Sequence, residues 1–238
     1  MESHMYEDSA TGIAGRMIRT FTSPGRTFAS VRDQSTWRDW LTPTLVVMVA
    51  GLVAGILTLP AVMDAGSEMM QEQLEEMSAE ERAVMEQFRE AAPAMALLWI
   101  PIASFLWLFI VGGVMLLVGN PILGGEASYG QMLAVTAYAS LVKVVQAVVT
   151  VPFTMKTGTV LVIGPGLFLS EEMLATFAGR VLSGVGLFTL WQVLLMAVGT
   201  GVMAGRSTRE ALVPLLILWA VVIVVQAGLG SLGDALAP

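Results

Sequence analysis

Four stretches of the chain stay apolar long enough to cross a bilayer: Leu41 to Val62, Pro93 to Val118, Thr176 to Ala204 and Ala211 to Leu232. A hydrocarbon core of roughly 30 Å takes about 20 mainly apolar residues in helical form. A fifth stretch, Gln131 to Phe153, qualifies although Lys143 sits near its middle. Gly158 to Leu169 is apolar too, but it is short and Gly164-Pro165-Gly166 interrupts it, so it reads as an interfacial or re-entrant segment. The expected fold class is all-α: a polytopic membrane bundle of five transmembrane helices over residues 41–238, preceded by a tail of residues 1–40.

The polar stretches carry patterns of their own. Ile13, Met17 and Phe21 recur at helical spacing with Arg16 and Arg19 beside them, which predicts an amphipathic helix lying in the membrane interface. Ser23 before Pro24 is a helix start, and the helix it opens carries Phe28 and Val31 on its apolar side. Trp37 and Trp40 stand where headgroups meet the first span, as an aromatic belt would. Phe21, Pro24, Phe28, Trp37 and Trp40 are therefore the expected interfacial anchors of an N-terminal elbow. Between the first two spans, residues 64–92 form an acidic insert. Ser78 with Glu81 makes a capping box there, and Met70, Leu74, Met77, Val84, Met85 and Phe88 mark the apolar side of an amphipathic helix expected on the membrane surface or against the neighbouring spans. Thioethers suit Cu(I), but Met69, Met70, Met77 and Met85 are spaced as packing alone would space them.

Composition agrees with the spans and fixes their direction. The 238 residues are 55% hydrophobic and only 13% charged, against about 25% charged in soluble domains. Of the net charge of −7, the segment Asp64 to Glu90 holds all: nine acids against two arginines. Arg16, Arg19, Arg26, Arg32 and Arg38 precede the first span, and Arg206 and Arg209 follow the fourth; the other side has Arg82, Arg89 and Lys156. Seven against three places the N-terminus in the cytoplasm and the C-terminus and acidic insert outside, in a multi-pass protein of the inner membrane. No signal peptide is expected. There is no Cys, and the only His is His4, within a Met1-Glu-Ser-His-Met5 run that reads as a cloning remnant. Thiol and Cys-His chemistry are excluded, and no phosphate-binding glycine loop is present. No metal, cofactor, catalytic residue or nucleic-acid partner is expected.

Ionisable groups within spans are functional candidates, because burying them costs about 2.5–3.5 kcal/mol on insertion scales. Lys143 lies twelve residues into the third span, with Gln146 one turn on. Arg180, near the start of the fourth, can snorkel outward or pair with Glu171 and Glu172. Gln192 and Gln226 suit interhelical hydrogen bonds. Gly51 with Gly55 and Gly201 with Gly205 form GxxxG patterns that let helices approach closely, within one chain or in a homo-oligomer; Gly179 with Ser183 is a similar small pair.

Three runs in family order resemble the bacterial branch of the Yip1 domain family: Phe21-Thr-Ser-Pro24-Gly-Arg-Thr-Phe28, Gly124-Gly-Glu-Ala-Ser-Tyr-Gly-Gln-Met-Leu-Ala-Val-Thr-Ala-Tyr138-Ala-Ser-Leu141, and Leu187-Phe-Thr-Leu-Trp191-Gln-Val-Leu-Leu-Met-Ala-Val-Gly199 followed by Ser207-Thr-Arg-Glu-Ala211. The family commonly has a proline shortly after the second run, where this chain has Val142-Lys143. The resemblance implies one five-span domain with a cytoplasmic N-terminus and no catalytic residues. It also implies an accessory or scaffolding role beside other membrane components, such as the ABC-type export systems that some bacterial relatives accompany. The competing expectation is a small-solute or ion transporter or channel using the Lys143/Gln146 region.

Overall fold

The computed structural model describes residues 12–76 and 78–236, and among them there are helices but no strands. In chain order the α-helices are α1 (Ile13–Thr22), α2 (Pro24–Gln34), α3 (Trp37–Glu76), α4 (Ala79–Leu117), α5 (Tyr129–Ser140), α6 (Val142–Thr157), α7 (Glu171–Leu174), α8 (Phe177–Ser183), α9 (Leu187–Ala204) and α10 (Thr208–Leu236). A π-helical turn (Val118–Ile122) ends α4, and a 3₁₀ turn (Pro165–Phe168) precedes α7. Five segments are long and apolar enough to span a membrane: Trp37–Gly66, Pro93–Ile122, Tyr129–Thr157, Leu187–Ala204 and Thr208–Leu232. This is the expected all-α bundle of a multi-pass membrane protein.

Three details differ from the sequence reading. The acidic insert is helical, but it is no separate surface helix: its first half continues α3 without interruption to Glu76, and its second half opens α4. Nothing between Val62 and Glu76 stops a helix, since Asp64 to Glu76 is rich in Glu, Gln, Met and Leu. At about 1.5 Å per residue α3 is about 60 Å long, twice the thickness of the hydrocarbon core. Secondly, Thr176 to Ala204 is not one helix. Gly184-Val185-Gly186 breaks it, so the fourth span starts at Leu187 and Arg180 lies in the connection before it. Thirdly, the third span is two helices, α5 and α6, parted at Leu141, whose N–H donates to the Tyr138 carbonyl three residues back at 3.2 Å. No proline marks this break, where Val142-Lys143 follow directly.

Each long span needs its first N–H groups satisfied near the membrane. α3, α4, α5 and α10 meet this with the same device, a hydroxyl residue followed three positions later by an acid or amide. Ser78–Glu81, Ser128–Gln131 and Ser207–Glu210 are full capping boxes, with the hydroxyl oxygen accepting from the third helical N–H and the longer side chain accepting from the cap N–H. In Thr36–Asp39 the carboxylate takes the Thr36 N–H at 2.9 Å. α9 has Gly186 at its cap and no side-chain acceptor. Its Leu187 N–H donates instead to the carbonyl of Ile163 at 2.8 Å.

The Ser78–Glu81 box gives a pH prediction. Hydrogen bonds from the Ser78 hydroxyl and N–H hold the Glu81 carboxyl below the usual carboxylate range. A group whose folded pKa is lowered contributes stability above its unfolded pKa and loses it as pH falls through the folded one. Acidification below the usual carboxylate range should therefore raise amide exchange at the start of α4, and Ser78→Ala should remove that pH dependence.

Close contacts divide the chain into two compact units. One contains the chain up to Thr44, Leu108–Val142 and the chain from Val162. In it α9 packs against α2, α5 and α10, and Phe28, Val31, Met132, Val135, Tyr138 and Ala197 are buried. The other contains Leu45–Trp107 and Lys143–Leu161. There Gly55 of α3 faces Ile100 of α4, with a Cβ at Gly55 falling 3.0 Å from the Ile100 Cδ1. The Gly51/Gly55 pattern thus packs two helices of the same chain. Gly201/Gly205 does not join helices. Gly205 has φ +65°, its N–H donates to Val202, and the Arg206 N–H reaches back to the Gly201 carbonyl at 2.8 Å, which is a Schellman end. Because only glycine holds that left-handed conformation without strain, Gly205→Ala should lower stability by about 1 kcal/mol, read as a lower thermal midpoint in detergent.

Candidate functional site

A buried polar cluster lies where the N-terminal helices meet the first and third spans. Asp39, the third residue of α3, is fully buried. Its Oδ1 accepts from Arg16 Nη1 of α1 at 2.5 Å and from the Tyr138 hydroxyl of α5 at 3.2 Å. Its Oδ2 accepts from the Thr36 N–H and hydroxyl, both at 2.9 Å. Four donors on one carboxylate satisfy its acceptor positions, which is what a buried acid needs in order not to be costly. Sequence reading missed this residue. The signal was present in Thr36-x-x-Asp39, the same spacing that marked Ser78 and Glu81.

The cluster fastens α1 and α2 to the bundle, and packing completes the attachment. Phe28 is wholly enclosed, its ring tip 3.2 Å from where a Cβ on Gly199 would stand. Phe21 meets Trp191 edge to face at 5.6 Å between ring centres. Both residues anchor the elbow to protein, and Pro24 sits at the start of α2 as expected. Trp40 packs against Leu108, Leu133 and Ala137 and lies 5.9 Å from Phe109. Trp37 is 60% exposed with the Arg38 guanidinium over its ring at 5.4 Å. Two further bonds tie α2 down: Gln131 Nε2 donates to the Arg32 carbonyl at 2.9 Å, and Arg32 Nη1 donates to the Val202 carbonyl at 3.2 Å.

Beside the cluster, sharing Thr36 with it, an open groove of about 490 Å³ is lined by Arg32, Asp33, Trp37, Trp40 and Gln131 among others. Three of its lining residues, Ser128, Gly130 and Gln131, lie in the run Gly124 to Leu141 that carries part of the resemblance noted above. The family model of the Yip1 domain matches residues 18–229. The chain belongs to the Yip1 domain family. No curated protein and no solved structure matches it. The Yip1 match includes Asp39, Tyr138 and the whole groove; Arg16 lies two residues before it.

Other candidates in the Yip1 domain stand apart from this cluster. Gln192 is buried and donates to the Ser140 hydroxyl at 3.0 Å, an interhelical bond of the expected kind; Gln226 is exposed. Arg180 lies over Gly230 of α10, its Nη1 2.6 Å from where a Cβ would be. Lys143 is the second residue of α6, directly after the break at Leu141; its side chain is exposed and Gln146 is half-buried. The next residue, Val144, lines an apolar slot of about 350 Å³ with Ala54, Leu57, Val148 and Pro152. Among the described residues no three of His, Cys, Asp and Glu come close enough to hold a metal ion. Val84 of the acidic insert is exposed. Met69, Met70, Leu74, Met77 and Phe88 lie outside the described side chains.

Proposed function

We propose that this Yip1 protein is a non-enzymatic scaffold in the cytoplasmic membrane, an accessory to other membrane proteins such as an ABC-type exporter. One observation carries the reading. The buried acid Asp39 spends its acceptor positions on Arg16, Tyr138 and Thr36, so it is engaged in holding the elbow in place. What the protein offers a partner is then its surfaces: the elbow of α1 and α2, and the α3–α4 hairpin with its acidic sequence between the first two spans. The charge bias supports an N-terminus in the cytoplasm. With Arg180 outside the fourth span, the count becomes seven basic residues against four, and the orientation is unchanged. Pull-down in mild detergent, with and without residues 67–90, tests the scaffold. A membrane partner recovered by the full chain and lost with the hairpin tip is expected; no reproducible partner for either form refutes the reading.

The second reading is a transporter or channel, favoured by Lys143 beside a helix break in the third span. Broken helices at membrane depth do line transport sites in other proteins. The apolar walls of the neighbouring slot suit no hydrated ion, however, and the scaffold reading predicts no flux above that of empty liposomes. Flux that falls at least about tenfold in Lys143→Ala, the range of a lost charged contact, would favour the transporter.

A further inference from the structure

The groove beside Asp39 opens at a defined depth. Its floor is formed by the end of α2, the link at Thr36 and the first turns of α3 and α5. Trp37 and Trp40 belong to it, and Leu41 begins the apolar run of the first span. Indoles at the start of a span settle at headgroup level, so the groove faces the layer where phospholipid headgroups lie.

Its charge is balanced. Arg32 and Asp33 are its one cation and one anion, with side chains 46% and 65% exposed. They touch each other at 3.3 Å, an exposed pair of adjacent residues that holds together weakly and can open to take one charge each. A guanidinium matches phosphate oxygens in a planar fork. A carboxylate accepts from an ammonium, and the exposed Trp37 indole, which already holds the Arg38 guanidinium over its ring, attracts cations. An anionic phospholipid would leave Asp33 facing a like charge. A headgroup that holds a phosphate and a primary ammonium a few bonds apart satisfies both residues.

We propose that this groove binds the headgroup of a zwitterionic aminophospholipid from the adjacent leaflet, with phosphate on Arg32 and ammonium between Asp33 and the Trp37 indole. The site is independent of any protein partner and stands whether or not the scaffold reading does.

Native mass spectrometry of the full chain tests it, with an equimolar mixture of phosphatidylethanolamine, phosphatidylglycerol and phosphatidylcholine of identical acyl chains as the probe. The expected result is retention of phosphatidylethanolamine over each of the others by about fivefold, the ratio one exposed charge or cation–π contact supplies. Phosphatidylcholine is the decisive competitor, since its quaternary ammonium can meet an indole but cannot donate to Asp33. Asp33→Asn should bring the ratio over phosphatidylcholine to about one, whereas Arg32→Gln, which removes a contact to the phosphate that all three lipids share, should lower the retention of all three. Arg32 also bonds the Val202 carbonyl, whereas Asp33 is exposed and pairs with Arg32, so Asp33→Asn with an unchanged thermal midpoint separates lost binding from lost folding. Equal retention of the three lipids, preference for phosphatidylglycerol, or a preference that survives Asp33→Asn overturns the proposal.

Discussion

Asp39→Ala is expected to destabilise the protein by about 3–5 kcal/mol, the cost of removing one partner from a buried ion pair. The geometry puts it in that class. The Asp39 side chain is 1% exposed and that of Arg16 13%, so neither water nor salt can replace the lost interaction cheaply. The mutation also leaves the Tyr138 hydroxyl and the Thr36 N–H without the acceptor they share. Tyr138→Phe should cost far less, about 1 kcal/mol, because it deletes one of four donors and strands no charge. The double variant Asp39→Ala/Arg16→Met should recover part of the loss, since it removes the uncompensated cation as well. Thermal unfolding in detergent gives the three values, and limited proteolysis should show α1 and α2 released first. If Asp39→Ala unfolds at the temperature of the parent, the cluster is not what holds the elbow.

Gly164→Ala and Gly113→Ala form the second large contrast, because one substitution is expected to act with opposite signs. A Cβ at Gly164 would stand 2.0 Å from the carbonyl oxygen of Val185. The obstacle is backbone, which no rotamer change can clear, so the loss should reach the upper end of about 1–3 kcal/mol for overpacking. The clash falls beside the Ile163 carbonyl that receives the Leu187 N–H, so exchange of the Leu187 amide should accelerate together with the fall in midpoint. Gly113, inside α4, has no atom within 4 Å of such a Cβ. There alanine should stabilise the helix by about 0.5–1 kcal/mol through lost backbone freedom in the unfolded chain. Equal effects at the two positions would mean that the close approach at Gly164 does not occur.

Which features could be read in advance follows from their physical range. A span is a property of a run, and five runs of sufficient hydropathy announce five helices without any knowledge of their neighbours. Capping is local too, and Ser78–Glu81 was recognisable over four residues. The Asp39 cluster is neither. Arg16 and Tyr138 stand 23 and 99 positions away from it, and a lone acid at the polar edge of a span looks like one left in water. Gly201 and Gly205 show the opposite error: four-residue spacing suggested helix packing, while the polar Arg206-Ser207 that follows marks a helix end. The fourth span was drawn too long because Val185 and two glycines keep an apolar average while ending a helix. Phe21 and Phe28 were correctly placed on apolar faces, but hydrophobicity does not distinguish a face turned to lipid from one turned to protein.

The uneven distribution of caps bears on how the protein is made. α3, α4, α5 and α10 bring acceptors for their first amides within their own sequence, so each can meet the bilayer as a finished helix while later residues are still being synthesised. α9 cannot. Its opening amide is satisfied by Ile163, 24 residues upstream, on a segment seated against the chain at Val185. The fourth crossing is thus a joint product of two stretches of chain, and it is complete only when the preceding loop has folded back to meet it.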